Sequence, residues 1–161
     1  MSGMECHGPN GNPTTKSPRI PHDSFHVSRP IIDLSDFPSN ETAFRRRFPD
    51  EAACQDWLRK RRWPEGFKCD RCGGRKTYPI VTRNTLECKS CRHQTSLTAN
   101  TPFHKTRKPL MDWMRAIYFL MQERRQGRKP SAFALAPVID AAYGTAHKWI
   151  SRLRPIMPEK S

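Results

Sequence analysis

The fold is decided by residues 69–91, a stretch that begins with Cys69-Asp70-Arg71-Cys72 and ends with Cys88-Lys89-Ser90-Cys91. Two residues separate the cysteines within each pair, so one tight turn can aim both sulfur atoms at a common point. Fifteen residues lie between the pairs, and they suit short strands that bring the two turns together. Four thiolates match the tetrahedral geometry of Zn²⁺. The spacing therefore predicts a zinc ribbon that holds one Zn²⁺ through Cys69, Cys72, Cys88 and Cys91.

The same four cysteines are compatible with other chemistry. A rubredoxin-like iron site uses the same ligands, although an electron carrier has little use for a strongly basic body. A thioredoxin-like redox pair needs one such motif beside a β-α-β unit, which the sequence does not show. Disulfides are disfavoured because the chain starts without an export signal. Within the zinc interpretation, four thiolates close the coordination sphere, so the metal is expected to hold the fold and to activate no water.

Short strands are expected on both sides of a turn at Arg83-Asn84. Pro79 has no amide hydrogen to donate, so its strand must lie at a sheet edge or carry a bulge. The residues expected in strands are Thr77, Tyr78, Ile80, Val81 and Thr82 before the turn, and Leu86 and Gln94 to Leu97 after it.

Helical patterns flank the ribbon. Pro49-Asp50-Glu51 has the acidic residues of a helix start, and Cys54, Trp57 and Leu58 follow at helical spacing. A second, longer helix is expected to begin at Pro109. Its apolar stripe contains Leu110, Trp113, Met114, Ile117, Leu120 and Met121, which we interpret as core.

Beyond a basic linker at 126–130, residues Ser131 to Leu153 predict two short helices, with Ala146, Ile150 and Leu153 facing inward. Their spacing fits a helix-turn-helix, whose second helix would enter the major groove of DNA. It fits a plain helical hairpin equally well.

The predicted organisation is a small α+β fold. A disordered leader (1–45) precedes an N-terminal helix (46–66), the zinc ribbon with short antiparallel strands (67–99), a long helix (100–126), and a helix-turn-helix with a tail (127–161). The leader holds six of the 15 prolines within residues 1–40 and shows no periodicity. Its Cys6 and His7 form an isolated pair near the terminus, which we interpret as incidental.

Charge indicates the class of partner. Residues 41–161 carry 26 Lys and Arg against 11 Asp and Glu, a net charge of +15, whereas residues 1–40 carry −1. No apolar run approaches the roughly 18 residues that span a bilayer. Such an excess of positive charge favours nucleic acid. We expect duplex DNA as the partner, no membrane and no small-molecule substrate, and a cytoplasmic, nucleoid-associated location.

Several segments, in order and spacing, resemble the N-terminal part of bacterial insertion-sequence (DDE-type) transposases that begin with a zinc ribbon. The resemblance covers about 48–154. Besides the two cysteine pairs it includes Phe48-Pro49-Asp50-Glu51, Cys54, Trp63-Pro64-Glu65-Gly66, Thr98-Ala99-Asn100-Thr101, Phe103-His104, Pro109-Leu110, Trp113, Ser131-Ala132, Leu135-Ala136, Thr145-Ala146 and Arg152-Leu153-Arg154. Three positions depart from the family: Pro137 inside a helix, Asp140 in place of a turn glycine, and His147 in place of tryptophan.

The resemblance implies that the ribbon and the helix-turn-helix bind transposon-end DNA. In that family a ribonuclease-H-like domain follows and carries the acidic catalytic triad. Only seven residues follow Arg154 here, so we expect a truncated, non-catalytic, DNA-binding relative. Two alternatives stay open: a regulator that occupies DNA or pairs with full-length transposase or with itself, and a zinc ribbon that docks on protein or RNA.

The expected DNA contacts are Arg59, Arg61, Arg62, Lys105, Arg107, Lys108, Arg124, Arg125, Tyr143, His147, Lys148 and Arg152. Base reading, if present, is expected from Tyr143, His147, Lys148 and Ser151 on the last helix.

Overall fold

The computed structural model describes residues 32–80 and 83–158 of the 161-residue chain. This part has a small α+β fold, as predicted, with three antiparallel strands and five helices. The elements are α1 (Glu41–Arg47), α2 (Glu51–Arg62), β1 (Thr77–Ile80), β2 (Thr85–Cys88), β3 (Gln94–Ser96), α3 (Leu110–Arg125), α4 (Ala132–Val138) and α5 (Tyr143–Leu153), followed by a 3₁₀ turn (Arg154–Ile156). None of these helices combines the length and the apolar character that crossing a bilayer requires.

The segment before α2 is folded, which corrects the expectation of a disordered leader as far as residue 45. Asn40 caps α1 by accepting a hydrogen bond from the amide of Ala43 at 2.8 Å. Ile32, Leu34 and Phe37 are buried, although their spacing has no regular period. Their order comes from tertiary packing, which local periodicity does not report. Residues 1–31, with Cys6 and His7, lie outside the described residues.

Aromatic packing holds this segment against α2. The Phe37 ring lies 5.5 Å from the Phe48 ring and 5.8 Å from the Trp57 ring, between centroids. Phe44 reaches across to Tyr118 of α3, at 4.9 Å. Arg61 donates to the backbone carbonyl of Asp33 and to the carboxylate of Asp36. The segment therefore belongs to the core of the fold.

Helix α2 begins where the sequence predicts and ends at Arg62, inside the predicted 46–66 segment. Asp50 is its N-cap and accepts from the amide of Ala53 at 2.8 Å. Cys54, Trp57 and Leu58 are buried. The carboxylate of Glu51, in the first turn of α2, accepts from the amides of Leu110 and Met111 at 2.7 and 2.9 Å. These amides begin α3, whose N-cap Pro109 offers no side-chain cap, so α2 supplies the cap of α3.

The predicted stripe of α3 is buried along its full length: Leu110, Trp113, Met114, Ile117, Leu120 and Met121. Helices α4 and α5 pack on each other, and α4 packs on α3. The indole of Trp149 in α5 stacks on that of Trp113 at 3.6 Å between centroids, with 10° between the planes. Trp149 was not among the residues expected to face inward. Ala146 and Leu153 are fully buried as expected, whereas Ile150 is half-buried.

Two of the three departures from the family, Pro137 and Asp140, have clear local consequences. Pro137 lies in the last turn of α4, which ends one residue later at Val138, because proline within a helix kinks or shortens it. Asp140 adopts φ 45°, in the left-handed region. Glycine accepts that conformation without strain, and aspartate is among the residues that tolerate it best.

The sheet has the order β1-β2-β3. Strand β1 lies at an edge, where Pro79 pairs with Leu86 without interrupting a central strand, as predicted. Val81 and Thr82, also expected in a strand, lie outside the described residues. Asn84 turns the chain with φ 48°, and its side-chain oxygen accepts from Gln55 of α2 at 2.6 Å.

Arg62 joins the last turn of α2 to the end of the ribbon. Its guanidinium donates to the carbonyl oxygens of Ser96 and Leu97, the latter at 3.0 Å, and lies over the Trp63 ring at 4.5 Å. Removal of this group leaves the partly buried carbonyl of Leu97 without a donor among the described residues, whereas the carbonyl of Ser96 still accepts from the amide of Ala99 at 3.2 Å.

We therefore expect Arg62→Met to lower the free energy of unfolding by about 1–3 kcal/mol. Lys60→Met is the matched control, because Lys60 is an exposed basic residue of the same helix and its loss should change stability by less than about 0.5 kcal/mol. Denaturant titration of zinc-loaded protein measures both. Equal stabilities of the two variants would contradict the role given to Arg62.

Candidate metal centre

The two cysteine pairs form turns with the same backbone hydrogen bonds. The amide of Cys69 donates to the carbonyl of Gly74, and the amide of Gly73 donates to the carbonyl of Cys69, both at 2.9 Å. In the second turn, the amide of Cys88 donates to the carbonyl of His93, and the amide of Arg92 donates to the carbonyl of Cys88, also at 2.9 Å. The residue after the second cysteine of each pair is left-handed, with φ 72° at Gly73 and 59° at Arg92. Both turns therefore present their sulfur atoms in the same way.

The four predicted ligands come together. The sulfur atoms of Cys69, Cys72, Cys88 and Cys91 all lie within 4.8 Å of one another. The Sγ–Sγ distance is 3.6 Å both between Cys69 and Cys91 and between Cys72 and Cys88. A tetrahedral site with metal–sulfur bonds of about 2.3 Å needs sulfur atoms about 3.8 Å apart. The donor set and its spacing thus fit one tetrahedral metal ion, and all four cysteines are free thiols in the structure.

Gly74 sets how closely the first turn approaches the cluster. A Cβ atom at this position would lie 3.0 Å from both Cys88 Sγ and Ser90 Oγ, and 3.3 Å from Cys72 Sγ. Its amide also points at the Cys72 sulfur, at 3.4 Å. A side chain at this position would require Cys88 Sγ and Ser90 Oγ to move by a few tenths of an ångström.

The cluster thiols differ in acidity. The backbone amide of Cys91, followed by that of Ser90, hydrogen-bonds the Cys88 sulfur and lowers the pKa of Cys88 to about 6. The amide of Gly74 favours the thiolate of Cys72, but the three neighbouring sulfur atoms outweigh it and raise the pKa of Cys72 to about 12. Full ionisation of the cluster at neutral pH therefore needs a cation.

Cys54 is separate from this centre. It lies on the buried face of α2, and burial, with a smaller contribution from Glu51 and Asp50, raises the pKa of its thiol to about 12. A protonated, buried thiol is neither a metal ligand nor a nucleophile. This agrees with its interpretation as a small core residue.

Basic side chains surround the cluster, and some are engaged. Arg92 forms an ion pair with Glu87 at 2.9 Å, and that hydrogen bond lowers the pKa of Glu87. The ammonium group of Lys89 lies 4.1 Å from the centre of the Tyr78 ring. Arg71, Arg75 and Lys76 are exposed. Since four thiolates and Zn²⁺ sum to −2, these cations would offset the charge of a loaded site.

The expected DNA contacts divide into two groups. Seven of the twelve donate to groups within the protein: Arg59 to Asp56, Arg61 to Asp33 and Asp36, Arg62 to the ribbon, Lys108 to the α4–α5 turn, Arg124 to Pro158, Arg125 to Ser39, and Arg152 to His104. The hydrogen bond of Arg152 is a long one, at 3.2 Å. Arg61 and Arg62 thus stabilise the fold, a role that their position in a run of basic residues does not predict.

The remaining expected contacts are exposed. Across the described ranges, the side chains of Lys105, Arg107 and Lys148 have neither a hydrogen-bond nor an ion-pair partner. Tyr143 and His147 stack on the outer face of α5 at 6.3 Å between ring centroids. DNA contact by any of these residues stays a prediction.

Gly74→Ala should weaken metal binding, because the added methyl group crowds two ligand sulfur atoms and one hydroxyl. Gly144→Ala is the matched control, since a Cβ there meets nothing within 4 Å. Competition with a chromophoric chelator should show at least about a tenfold loss of zinc affinity for the first variant, that is about 1.4 kcal/mol, and none for the second. Unchanged affinity of the Gly74 variant would contradict the crowding.

Zinc affinity should rise with pH, because metal binding must displace thiol protons. Cys72, with its pKa about 12, holds one proton throughout the range from pH 6 to 8 in the metal-free protein. The apparent affinity should therefore increase at least about tenfold per pH unit, and acidification should release the metal. Chelator competition at pH 6, 7 and 8, corrected for protonation of the chelator, measures this, and a pH-independent affinity would refute it.

Comparison with known protein families bears on the same region. Residues 49–94 match the family model of the transposase zinc-ribbon domain of the IS1595 type. The match runs from the start of α2 to the start of β3 and includes all four cysteines. No curated protein and no solved structure matches the chain significantly. The prediction of a transposase-type zinc ribbon is thereby confirmed for these residues, and the four-cysteine cluster within them is compatible with a bound metal ion.

Proposed function

We propose that this chain is a zinc-stabilised DNA-binding protein related to transposases, which binds duplex DNA and does not cut it. The observation that carries the proposal is the coincidence of the transposase zinc-ribbon match at 49–94 with the converging sulfur atoms of four cysteines. Cys69, Cys72, Cys88 and Cys91 would hold Zn²⁺. A fully coordinated Zn²⁺ supplies folding free energy and has no open position for substrate.

The charge of the chain supports DNA as the partner. The whole chain has a formal net charge of +14, and exposed cations lie on both the ribbon (Arg71, Arg75, Lys76, Lys89) and the last helix. Phosphate neutralisation by such side chains releases condensed counterions and supplies most of the affinity of non-specific binding. A location with chromosomal DNA follows from the same argument.

The α4–α5 pair supports a helix-turn-helix role. Four residues (139–142) join the two helices, and α5 turns Ala146, Trp149 and Leu153 inward. Its outer face presents Tyr143, His147, Lys148 and Ser151, all exposed. In this proposal that face would enter the major groove and read base edges, with transposon ends as the candidate target.

A second candidate function is regulation. A binder that lacks the chemistry of a transposase would occupy the same DNA ends, or pair with full-length transposase, and so inhibit transposition. A reading frame for a ribonuclease-H-like domain next to this one in the DNA would favour an interrupted transposase instead. A ribbon that docks on protein or RNA is the remaining alternative.

The test is a titration of labelled duplex DNA with zinc-loaded protein, followed by fluorescence anisotropy from about 50 to 200 mM salt. We expect tight binding at low salt and a logarithmic slope of about −0.9 for each phosphate neutralised. Cys72→Ser, which removes one ligand, should weaken binding together with the metal content. Labelled duplex incubated with the protein and Mg²⁺ should stay intact.

Three results would contradict the proposal. They are absence of DNA binding at low salt, affinity that does not change with salt, and tighter binding to a structured RNA than to any duplex DNA. Nicking that co-purifies with the protein and disappears in Cys72→Ser would overturn its non-catalytic part.

A further inference from the structure

We propose that the groove between loop 104–108 and α5 binds the sugar-phosphate backbone of duplex DNA, and that its basic residues have two different roles. Lys105, Arg107 and Lys148 contact phosphates, whereas Lys108 is a positioning residue that holds the wall of the groove. This inference rests on the proposed function and assigns DNA contact to particular side chains within it.

The groove is open and has a consistently positive lining. Its volume is about 410 Å³. The side chains of Lys105, Arg107, Lys108, Lys148 and Arg152 line it, and the stacked pair Trp113–Trp149 forms its floor. Small residues, Ala141, Ala142 and Thr145, line the α5 side and leave the groove accessible. The residues that line it include no carboxylate, so an anion entering it meets only attraction.

The ammonium group of Lys108 is already hydrogen-bonded within the protein. Its ammonium group donates to the carbonyl oxygens of Asp140 at 2.7 Å and Ile139 at 3.2 Å. These carbonyls belong to the turn between α4 and α5, where Asp140 is left-handed. The ammonium group therefore stabilises a turn conformation that is costly for a residue with a Cβ atom, and it fixes α5 relative to the loop.

Hydrogen bonds constrain the loop at its centre. The Thr106 hydroxyl accepts from the Trp113 indole at 2.8 Å and from the Lys108 amide at 3.1 Å. From the other side, Arg152 donates to the carbonyl of His104 at 3.2 Å. Loop and helix are thus joined at two points, one at each end of the groove wall. Lys105, Arg107 and Lys148 have no such partner within 32–80 and 83–158, so they can contact a ligand without breaking a bond in the protein.

The shape of the positive surface favours a polyanion over a single small anion. A second groove, of about 610 Å³, is lined by the same loop and shares Lys105, Arg107 and Lys108. It adds Arg83 and His104. Glu51 also lines it, but both oxygens of that carboxylate accept from amides of α3. Positive charge therefore continues from one groove into the other through the loop that they share. A row of phosphates, spaced 3.4 Å along the axis of each strand, can contact both grooves, whereas a single phosphate occupies one.

The experiment separates the two roles by the salt dependence of binding. Lys105→Gln, Arg107→Gln and Lys148→Gln should each lower the magnitude of the logarithmic salt slope by about 0.9. Lys60→Gln is the control: Lys60 is exposed on α2 and lines neither groove, so the slope should stay at the wild-type value. Thermal unfolding should be unchanged in all four variants.

The positioning role of Lys108 is tested by a separate measurement. Lys108→Met should keep the wild-type salt slope, increase hydrogen exchange at the amides of residues 139–142, and bind DNA more weakly at every salt concentration. Lys108→Arg, which keeps a donor at this place, should restore part of the exchange protection. This measurement of the turn in the free protein does not depend on DNA.

The outcomes are distinguishable. Wild-type protein that fails to bind duplex DNA would remove the proposed function and this site with it. Wild-type protein that binds, with the three glutamine variants keeping the full slope, would overturn the groove alone. A slope reduced by about 0.9 in Lys108→Met, with unchanged exchange at 139–142, would show that Lys108 contacts phosphate and would overturn its positioning role. Tighter binding of duplex RNA than of duplex DNA would overturn the choice of ligand.

Discussion

The convergence of four sulfur atoms is the constraint on which the ribbon depends. Between Phe67 and Leu97, the buried apolar side chains apart from the cysteines are only those of Leu86 and Leu97, within the described residues. A three-stranded sheet of three to four residues per strand cannot stabilise itself on so little burial. A metal ion held by the four cysteines would replace a hydrophobic core, so the thiol acidity and the close approach at Gly74 would bear on folding as much as on metal affinity.

Helix α2 connects the ribbon to the rest of the molecule. At its first turn, Glu51 caps the amides that begin α3. At its last turn, Arg62 binds the carbonyls at the end of the ribbon. Its buried face meets the core between these points. One helix thus connects the metal-dependent part, with little core of its own, to the apolar part. A substitution of Glu51 or Arg62 at either end of α2 should also destabilise the part of the fold at the other end, since both contacts use charged groups that are costly to leave unpaired.

The sequence predicts those features that rest on spacing, and it misses those that rest on tertiary contact. Cysteine spacing predicted that the four cysteines cluster, and helical period predicted the buried stripe of α3, because both follow from local geometry. Ile32, Leu34 and Phe37 have no period and were assigned to a disordered leader, yet they pack on α2. Trp149 was missed because its partner, Trp113, lies in a different helix. The stacking partner of a tryptophan is set by the arrangement of helices, which no local pattern contains.

The number of charged residues in the sequence likewise does not show which charged groups are bound within the fold. Residues 41–161 carry +15, but a guanidinium or ammonium group bound to a backbone carbonyl is not available to a phosphate unless that bond breaks. Arg61, Arg62 and Lys108 illustrate the difference: each was assigned to DNA because of its charge, and each holds two segments of the chain together. Their charges still add to the long-range potential that attracts a polyanion. The number of phosphates neutralised at contact depends instead on the partner-free cations, which are fewer, and it is this smaller number that should set the salt dependence of binding.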